Sequence, residues 1–456
     1  MSLRKDIRER FNPPSVLFDD EVSDKYSSDW TDSGKCKPEA VLRPKTTEDV
    51  SNMLQLCNSA GQTIVVQGGL TGLSGGASPK PGEWSLSLER MNKIIEIDQD
   101  ALTITVQAGT PLSEVQQAAE DAGLYLALDL GARGSCQIGG NIATNAGGNQ
   151  VIKYGMARAL VSGMVAVLAD GTVLTNRNKL LKNNAGYDLK QLFIGSEGTL
   201  GIITEIVLRL FPKPLTKQSA MCGLQSMTDV IRLLKEARTR LPSISAFEVM
   251  WPNYYDVCIN VVADARNPFS EEYAYYVILE SEGHYPDTDF EHFCELLSDL
   301  MEQEIVTNAA LAQSISDAEN FWKIRDGIGE LTAELKNAAH FDIGIPIRNV
   351  EACVNDIQDT LLEKFPNVTA YYFGHLGDGN FHIVAGTESE QQKYGVYDAV
   401  YEITGKYDGS ITAEHGVGSH KTQWLHHSRE EAEIALMKTL KVTLDPKGIL
   451  NPGRIF

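Results

Sequence analysis

Apolar and polar positions along this chain change period several times, and each change predicts an element. In TTEDVSNMLQLCNSAG, Val50, Leu54 and Cys57 share one face at helical spacing, with Thr47 as N-cap and Gly61 as terminator. Short β-branched runs such as TIVV, LTITVQAG and GMVAVLADGTVL predict strands. Strands interleaved with helices, rather than segregated from them, indicate an α/β or α+β domain. The Pro-rich FPKPLTK, Phe211 to Lys217, reads as a boundary. Past it glycine thins and longer helical segments appear, notably TDVIRLLKEARTRL and DFEHFCELLSDLMEQE. The tail LDPKGILNPGRIF returns to a loop-like composition. Near the end, FGHLGDGNFHIV sets a Gly-Asp-Gly-Asn turn inside a β-prone run, with His375 and His382 on either side.

Length and charge narrow the picture. At 456 residues the chain exceeds one ordinary core, so two or three domains are expected. A hydrophobic content of 43% and a charged content of 22% fit a soluble globular protein. The formal charge of −21 argues against nucleic acid or an anionic membrane as the main partner. It also means that an anionic ligand must be met by a local cation or a metal. MSLRKDIRERFNPP lacks the apolar stretch of a secretory signal, and no apolar run reaches the roughly eighteen residues of a membrane span. The 7 cysteines are scattered and form no CxxC pair, which points to reduced thiols and a cytoplasmic location.

Glycine is concentrated in three patches of the first half. VVQGGLTGLSGGA follows a strand-like run, and successive glycines there leave backbone N–H groups facing outward as a nest for phosphate. The patch fits neither the GxGxxG dinucleotide fingerprint nor the GxxxxGK[ST] phosphate loop. GARGSCQIGGNIATNAGG adds Ser135, Asn141, Thr144 and Asn145, small polar groups able to hydrogen-bond a flat heterocycle and a sugar-phosphate chain. With IGSEGTLGIITE as the third patch, the set suggests a large, extended, phosphate-bearing cofactor.

DLGARGSCQIGGNIATNAGG, NNAGYDLKQLFIGSEGTLGIIT, YFGHLGDGNFH, AEHGVG and LDPKGILNPG together resemble the FAD-linked oxidases of the vanillyl-alcohol-oxidase (PCMH-type) superfamily. The resemblance runs from about Pro44 to Pro452 and is strongest to the D-2-hydroxyglutarate and D-lactate dehydrogenase branch. It implies an α+β fold: a PCMH-type FAD-binding domain over residues 1–214, a cap or substrate domain over 215–410, and a C-terminal segment over 411–456 that returns to the FAD domain. By matching positions, Gly68, Gly69, Thr71, Gly72 and Gly75 would hold the pyrophosphate. Ser135, Gly139, Asn141, Thr144 and Gly148 would line the flavin or its ribityl chain, Gly198 and Ile203 would flank the adenine side, and Asn451 would return to the flavin. The first loop has no histidine, so the expected FAD is non-covalent.

His375, His382 and Glu414 offer two imidazoles and a carboxylate, a three-ligand set for zinc, with manganese or cobalt as alternatives. On a helix the two would stand two turns, roughly 10 Å, apart and too wide to meet at one ion, but a hairpin can bring both rings toward one point; the plainer reading is a hairpin with two incidental histidines. The resemblance assigns all three as ligands. A divalent ion chelated by an α-hydroxyl and α-carboxylate lowers the hydroxyl pKa, and His415 is the expected general base. The plainer reading of His415 is a group that only orients Glu414.

Arg325 in FWKIRDGIG matches an arginine that the family uses on the substrate carboxylate, and its alternative is a helix-surface arginine. Asn380 and His340 complete the expected substrate contacts. The chain departs from the hydroxyglutarate enzymes at Gly329, His340 and Val384, where they carry Thr, Lys and Asn; a protonated His340 would restore the lost cation. Expected partners are a small anionic 2-hydroxy acid and an electron acceptor such as electron-transfer flavoprotein or quinone, with no nucleic acid; a homodimer is compatible with the sequence. Competing functions are a D-lactate dehydrogenase, an oxygen-using glycolate or hydroxy-acid oxidase, a non-redox FAD enzyme such as an ether-lipid synthase, and a flavin-free metal-binding scaffold.

Overall fold

The first long helix forms as Thr47–Ala60, but its N-cap is Thr46, one residue before the expected Thr47. The reason is a reciprocal cap: Thr46 Oγ1 accepts from the Asp49 N–H at 3.1 Å while Asp49 Oδ2 accepts from the Thr46 N–H at 3.2 Å. Thr47 instead turns its hydroxyl to Thr204. Gly61 closes the helix in the left-handed region at φ 67, and Val50, Leu54 and Cys57 are buried as the spacing predicts.

The computed structural model describes residues 3–31, 35–241 and 243–456. It divides into two units: Met1–Gly148, Tyr154–Lys213 and Glu414–Phe456 form the first, and Asn149–Lys153 and Pro214–Ala413 the second. Among the described residues no helix is long and apolar enough to cross a membrane.

The first unit carries β1 (Val16–Phe18), β2 (Ala40–Leu42), β3 (Ile64–Gln67), β4 (Trp84–Ser87), β5 (Ile94–Asp98), β6 (Thr103–Gln107), β7 (Leu124–Tyr125), β8 (Val161–Val167), β9 (Val173–Asn176), β10 (Ile202–Arg209) and β11 (Phe211–Pro212). They make a four-stranded sheet β1-β2-β4-β3, a five-stranded sheet β5-β6-β10-β8-β9 and the pair β11-β7. β3 and β4 run parallel, joined through the first glycine patch, whereas the five-stranded sheet is antiparallel. One apolar core spans both main sheets, taking Leu54, Ile64, Leu86, Ile104, Ile206 and the C-terminal Leu450. The tail is held to β3 by Ile64 N–H to Ile449 O at 2.7 Å and Asn451 N–H to Ile64 O at 2.8 Å.

The second unit is built on one sheet of β12 (Thr216–Leu224), β13 (Ile244–Met250), β14 (Tyr275–Gly283), β15 (Asn308–Leu311), β16 (Ala339–Gly344), β17 (Thr369–His375) and β18 (Asn380–Gly386). Its order is β15-β12-β14-β13-β17-β18-β16, antiparallel throughout. The helical segments expected past the boundary form as Met227–Arg240 and Pro286–Glu302. They bury Val230, Leu233, Phe293 and Leu296, each worth about 1.5–3 kcal/mol of apolar transfer. Helices Pro252–Val261, Ile315–Arg325 and Ile328–Glu334 share a second cluster with Met250, Ile278, Phe373 and Val384.

Candidate functional site

The histidine hairpin owes its geometry to register. His375 ends β17 opposite Asn380, so the connection is the tetrapeptide Leu376 to Gly379. Side chains alternate faces with a period of two. His382, two residues past Asn380, therefore returns to the face of His375 as its diagonal neighbour. The ring centroids are 5.3 Å apart, edge to face. Gly379 is needed for the turn, because at φ +83 an added Cβ would sit 2.8 Å from Ile345 O. Asp378 Oδ1 accepts from the Asn380 N–H at 3.1 Å and fixes the re-entry into β18.

The same parity puts His340, Asp342, His382, Asn380, His375 and Glu248 on one face of the sheet, since Asp342 pairs with His382 and Met250 with Phe373. Glu248 lies inside ISAFEVM, a strand in which every residue is buried. Its Oε1 accepts from His375 Nδ1 at 2.7 Å and its Oε2 from Arg325 Nε at 2.8 Å. Burial alone would raise the Glu248 pKa, but the charges of His375 and Arg325 outweigh it and hold the carboxyl below its ordinary value.

Arg325 is not a surface residue of its helix; its side chain is 9% exposed. Burial disfavours its charge, yet Glu248 and Asp326 overcome that and raise its pKa. Nη1 donates to Asp326 Oδ1 at 3.1 Å. Nη2 lies 3.4 Å from Nδ1 and 3.1 Å from Nε2 of His375. These near-equal distances set Nη2 against both ring nitrogens, with an N–H directed at the imidazole. The guanidinium also lies 5.2 Å from the Phe373 centroid. The fork expected to hold a substrate carboxylate is thus turned onto the protein's own carboxylates and rings.

Of the other expected substrate contacts, Asn380 is buried and donates from Nδ2 to Asp342 Oδ1 at 2.8 Å and Ile343 O at 3.2 Å. Asp342 Oδ2 accepts from Thr412 Oγ1 at 3.0 Å. His340 is exposed on the edge strand β16. Val384 is core. Ala413, whose N–H donates to Asp342 O at 3.0 Å, is followed in the chain by Glu414.

In the first unit, Glu414 Oε1 accepts from the Gly148 N–H at 2.8 Å, and a Cβ on Gly147 would collide with that carboxylate. The turn after it is clamped twice. Ser74 Oγ donates to His415 O and Gly416 O, both at 2.9 Å, and Glu197 accepts the N–H groups of Val417 and Gly418, both at 2.8 Å. Burial raises the Glu197 pKa, against those two donors, which favour the charged form.

The expected cofactor residues are also in this unit. Gly68 and Gly72 have no atom within 3.4 Å of an added Cβ, while Leu70 at φ 59 and Gly75 at φ 70 turn the loop between and after them, with Thr71 half-buried in it. Gly69 packs backbone to backbone on Ser135, whose O would lie 2.1 Å from a Cβ. Asn141 Oδ1 and Gln137 Oε1 are buried with no hydrogen-bond partner, acceptors that suit a polar ligand beside the Gly68 loop. An FAD cradle fits these residues. Several others also make contacts within the protein. Gly139 packs on Ala108, Thr144 Oγ1 bonds back to Gly140 O, Ser135 Oγ to Ala132 O, and Ile203 sits in the core of β10. Asn451 staples three segments, accepting from the Val66 N–H at 2.8 Å and donating to Glu197 O at 2.5 Å, and it lies against Gly198. A Gly69→Ala variant is expected to lose bound flavin, read as a lower ratio of flavin to protein absorbance, because backbone cannot yield to a clash worth about 1–3 kcal/mol.

Glu248, Glu197 and Ser74 were missed by motif reading. Only Glu248 left a signal, the single charge in the β-run ISAFEVM.

Two family profiles match the chain: FAD linked oxidases, C-terminal domain, over residues 213–455, and FAD binding domain over residues 38–176. The chain is 38% identical over 452 residues to a mitochondrial D-2-hydroxyglutarate dehydrogenase of Arabidopsis thaliana, covering 98% of this chain and 80% of that one. It is 36% identical over 465 residues to a D-2-hydroxyglutarate dehydrogenase of Stutzerimonas stutzeri, covering 100% and 99%. A Schizosaccharomyces pombe protein provisionally named a mitochondrial D-lactate dehydrogenase is 37% identical over 441 residues, covering 94% and 84%. Among solved structures, p-cresol methylhydroxylase superposes with TM-score 0.79 at 16% identity over 99% of this chain and 96% of that one, which establishes the fold.

Proposed function

We propose, for a chain that belongs to the FAD linked oxidases and is an FAD-dependent oxidoreductase, the dehydrogenation of a D-2-hydroxy acid to its 2-oxo acid, with D-2-hydroxyglutarate as first substrate. The observation that carries the substrate class is the pair His375 and His382 on one sheet face, with Glu248 holding the first by Nδ1. Together with Glu414, reached by one peptide bond from the Asp342-anchored Ala413, they are the proposed ligands of a divalent ion, zinc first.

When bound, FAD supplies a two-electron acceptor for hydride at N5, and a divalent ion supplies Lewis acidity toward the α-hydroxyl and α-carboxylate. His415 takes the hydroxyl proton through an imidazole nitrogen, on a turn whose backbone Ser74 and Glu197 hold in place. Arg325 contributes positive charge to the sheet face, and His340 stands at its exposed edge for a distal carboxylate. D-lactate is the second reading, favoured by Gly329, where nothing approaches within 4 Å of a Cβ, and by buried Val384, which leaves fewer distal contacts. Electrons then pass to an acceptor such as electron-transfer flavoprotein or quinone. A cytoplasmic setting accords with seven unpaired cysteines.

The test is flavin bleaching and dye reduction with D- and L-isomers of 2-hydroxyglutarate, lactate and glycolate, before and after chelation. Bleaching by D-isomers that falls on chelation and recovers with zinc, manganese or cobalt is expected. A strict L preference, or rates indifferent to chelator, would sink the reading.

A further inference from the structure

We propose that Glu248 sets the tautomer of His375 and thereby decides which of its nitrogens can hold a metal. The inference rests on the ligand assignment above and adds a positioning residue that no sequence motif marks.

Geometry carries the argument. Glu248 uses one oxygen on His375 Nδ1 at 2.7 Å and the other on Arg325 Nε at 2.8 Å. An ionised carboxylate only accepts, so Nδ1 must carry the proton, and in the neutral ring that a metal requires the lone pair is then on Nε2. Nε2 is then the ligating atom. The ring is held as well, since Arg325 Nη2 sits against its nitrogens at 3.4 and 3.1 Å. Isolated, a carboxylate with 1% exposure would be costly to keep charged; Arg325 supplies the compensating cation, so the three side chains work as one electrostatic unit.

Arg325 also dictates what a neutral substitute must do. Arginine cannot accept a hydrogen bond. In a Glu248→Gln protein the amide oxygen must therefore face Arg325 Nε, which turns the amide NH2 toward His375 Nδ1. Two donors cannot share that contact, so the imidazole proton moves to Nε2. The ring keeps its place but presents N–H where the lone pair was. Glu248→Asp keeps two acceptor oxygens and retains the native tautomer.

Two readouts test this. In the metal-free holoflavoprotein, ring 15N shifts of His375, assigned by comparison with His375→Ala, should report protonated Nδ1 in the parent and in Glu248→Asp, and protonated Nε2 in Glu248→Gln. In chelator competition, zinc affinity should fall about 10–100-fold in Glu248→Gln, with Glu248→Asp closer to the parent and flavin content unchanged in both. A merely structural role for Glu248 would lower stability without inverting the tautomer. Protonated Nε2 in the parent overturns the inference, as does undiminished zinc affinity in Glu248→Gln. Undiminished affinity in His375→Ala overturns the ligand assignment instead, and the 15N shifts still decide the Glu248 contact.

Discussion

Replacing His415 with glutamine is expected to slow flavin reduction by a D-2-hydroxy acid by about 10²–10⁴-fold, the usual contribution of a positioned base. Stopped-flow bleaching under anaerobic conditions reads that step directly. The backbone of His415 is held from Ser74 and from Glu197 through Val417 and Gly418, none of which uses its side chain. Metal and flavin contents are expected to match the parent. A base role also predicts partial recovery of the variant at higher pH, where hydroxide substitutes for the imidazole. Unchanged bleaching would leave His415 only the orientation of Glu414, and a loss of metal matching the loss of rate would say the same.

The second large effect is on stability. Arg325→Leu removes the cation from a carboxylate that is 1% exposed and leaves Glu248 buried and charged. Breaking such a pair from one side costs about 3–5 kcal/mol. Denaturant titration should show the drop as a lower midpoint, and Arg325→Lys should recover part of it by restoring charge without the fork. The decisive comparison is the double change Arg325→Leu with Glu248→Leu, which removes both charges and should be more stable than Arg325→Leu alone. If Arg325→Leu unfolds at the parent's midpoint, Arg325 is not the partner that keeps Glu248 charged. The double change should still bind zinc poorly, because nothing then holds His375 by Nδ1. Stability and metal affinity are thus separable in one set of variants.

Local signals were legible wherever one segment contained its own explanation. The helix Thr47–Ala60 has its cap, its buried face and its terminating glycine within sixteen consecutive residues, and only the cap lies one residue before the expected position. Thr46 and Thr47 are equally good caps in isolation. Asp49 decides between them, because its side chain reaches back to the Thr46 N–H. The histidine hairpin was legible for a similar reason: loop length and the alternation of strand faces set which side His382 takes, and both are countable.

Arg325 shows where counting stops. A basic residue in the last turn of a helix is ordinarily solvated, and its identity says nothing about what packs over it. Glu248 comes from a strand 77 positions away, and only the pairing of β13 with β17 brings it to His375. Asn380 is similar. It is an expected substrate contact, and the fold holds its Nδ2 on Asp342 and Ile343 of the neighbouring strand while Oδ1 is buried with no hydrogen-bond partner.

By itself, then, the sequence determined the family, the glycine-rich loops, the hairpin and the residue types available for chemistry. These depend on backbone freedom and side-chain functional groups, which are properties of short segments. Tertiary structure alone decided that Arg325 is buried, that Glu248 holds it and His375 together, and that Glu197 and Ser74 clamp the turn bearing His415. Buried charges must be paired, and the partner that satisfies one comes from whichever strand or loop the fold sets beside it.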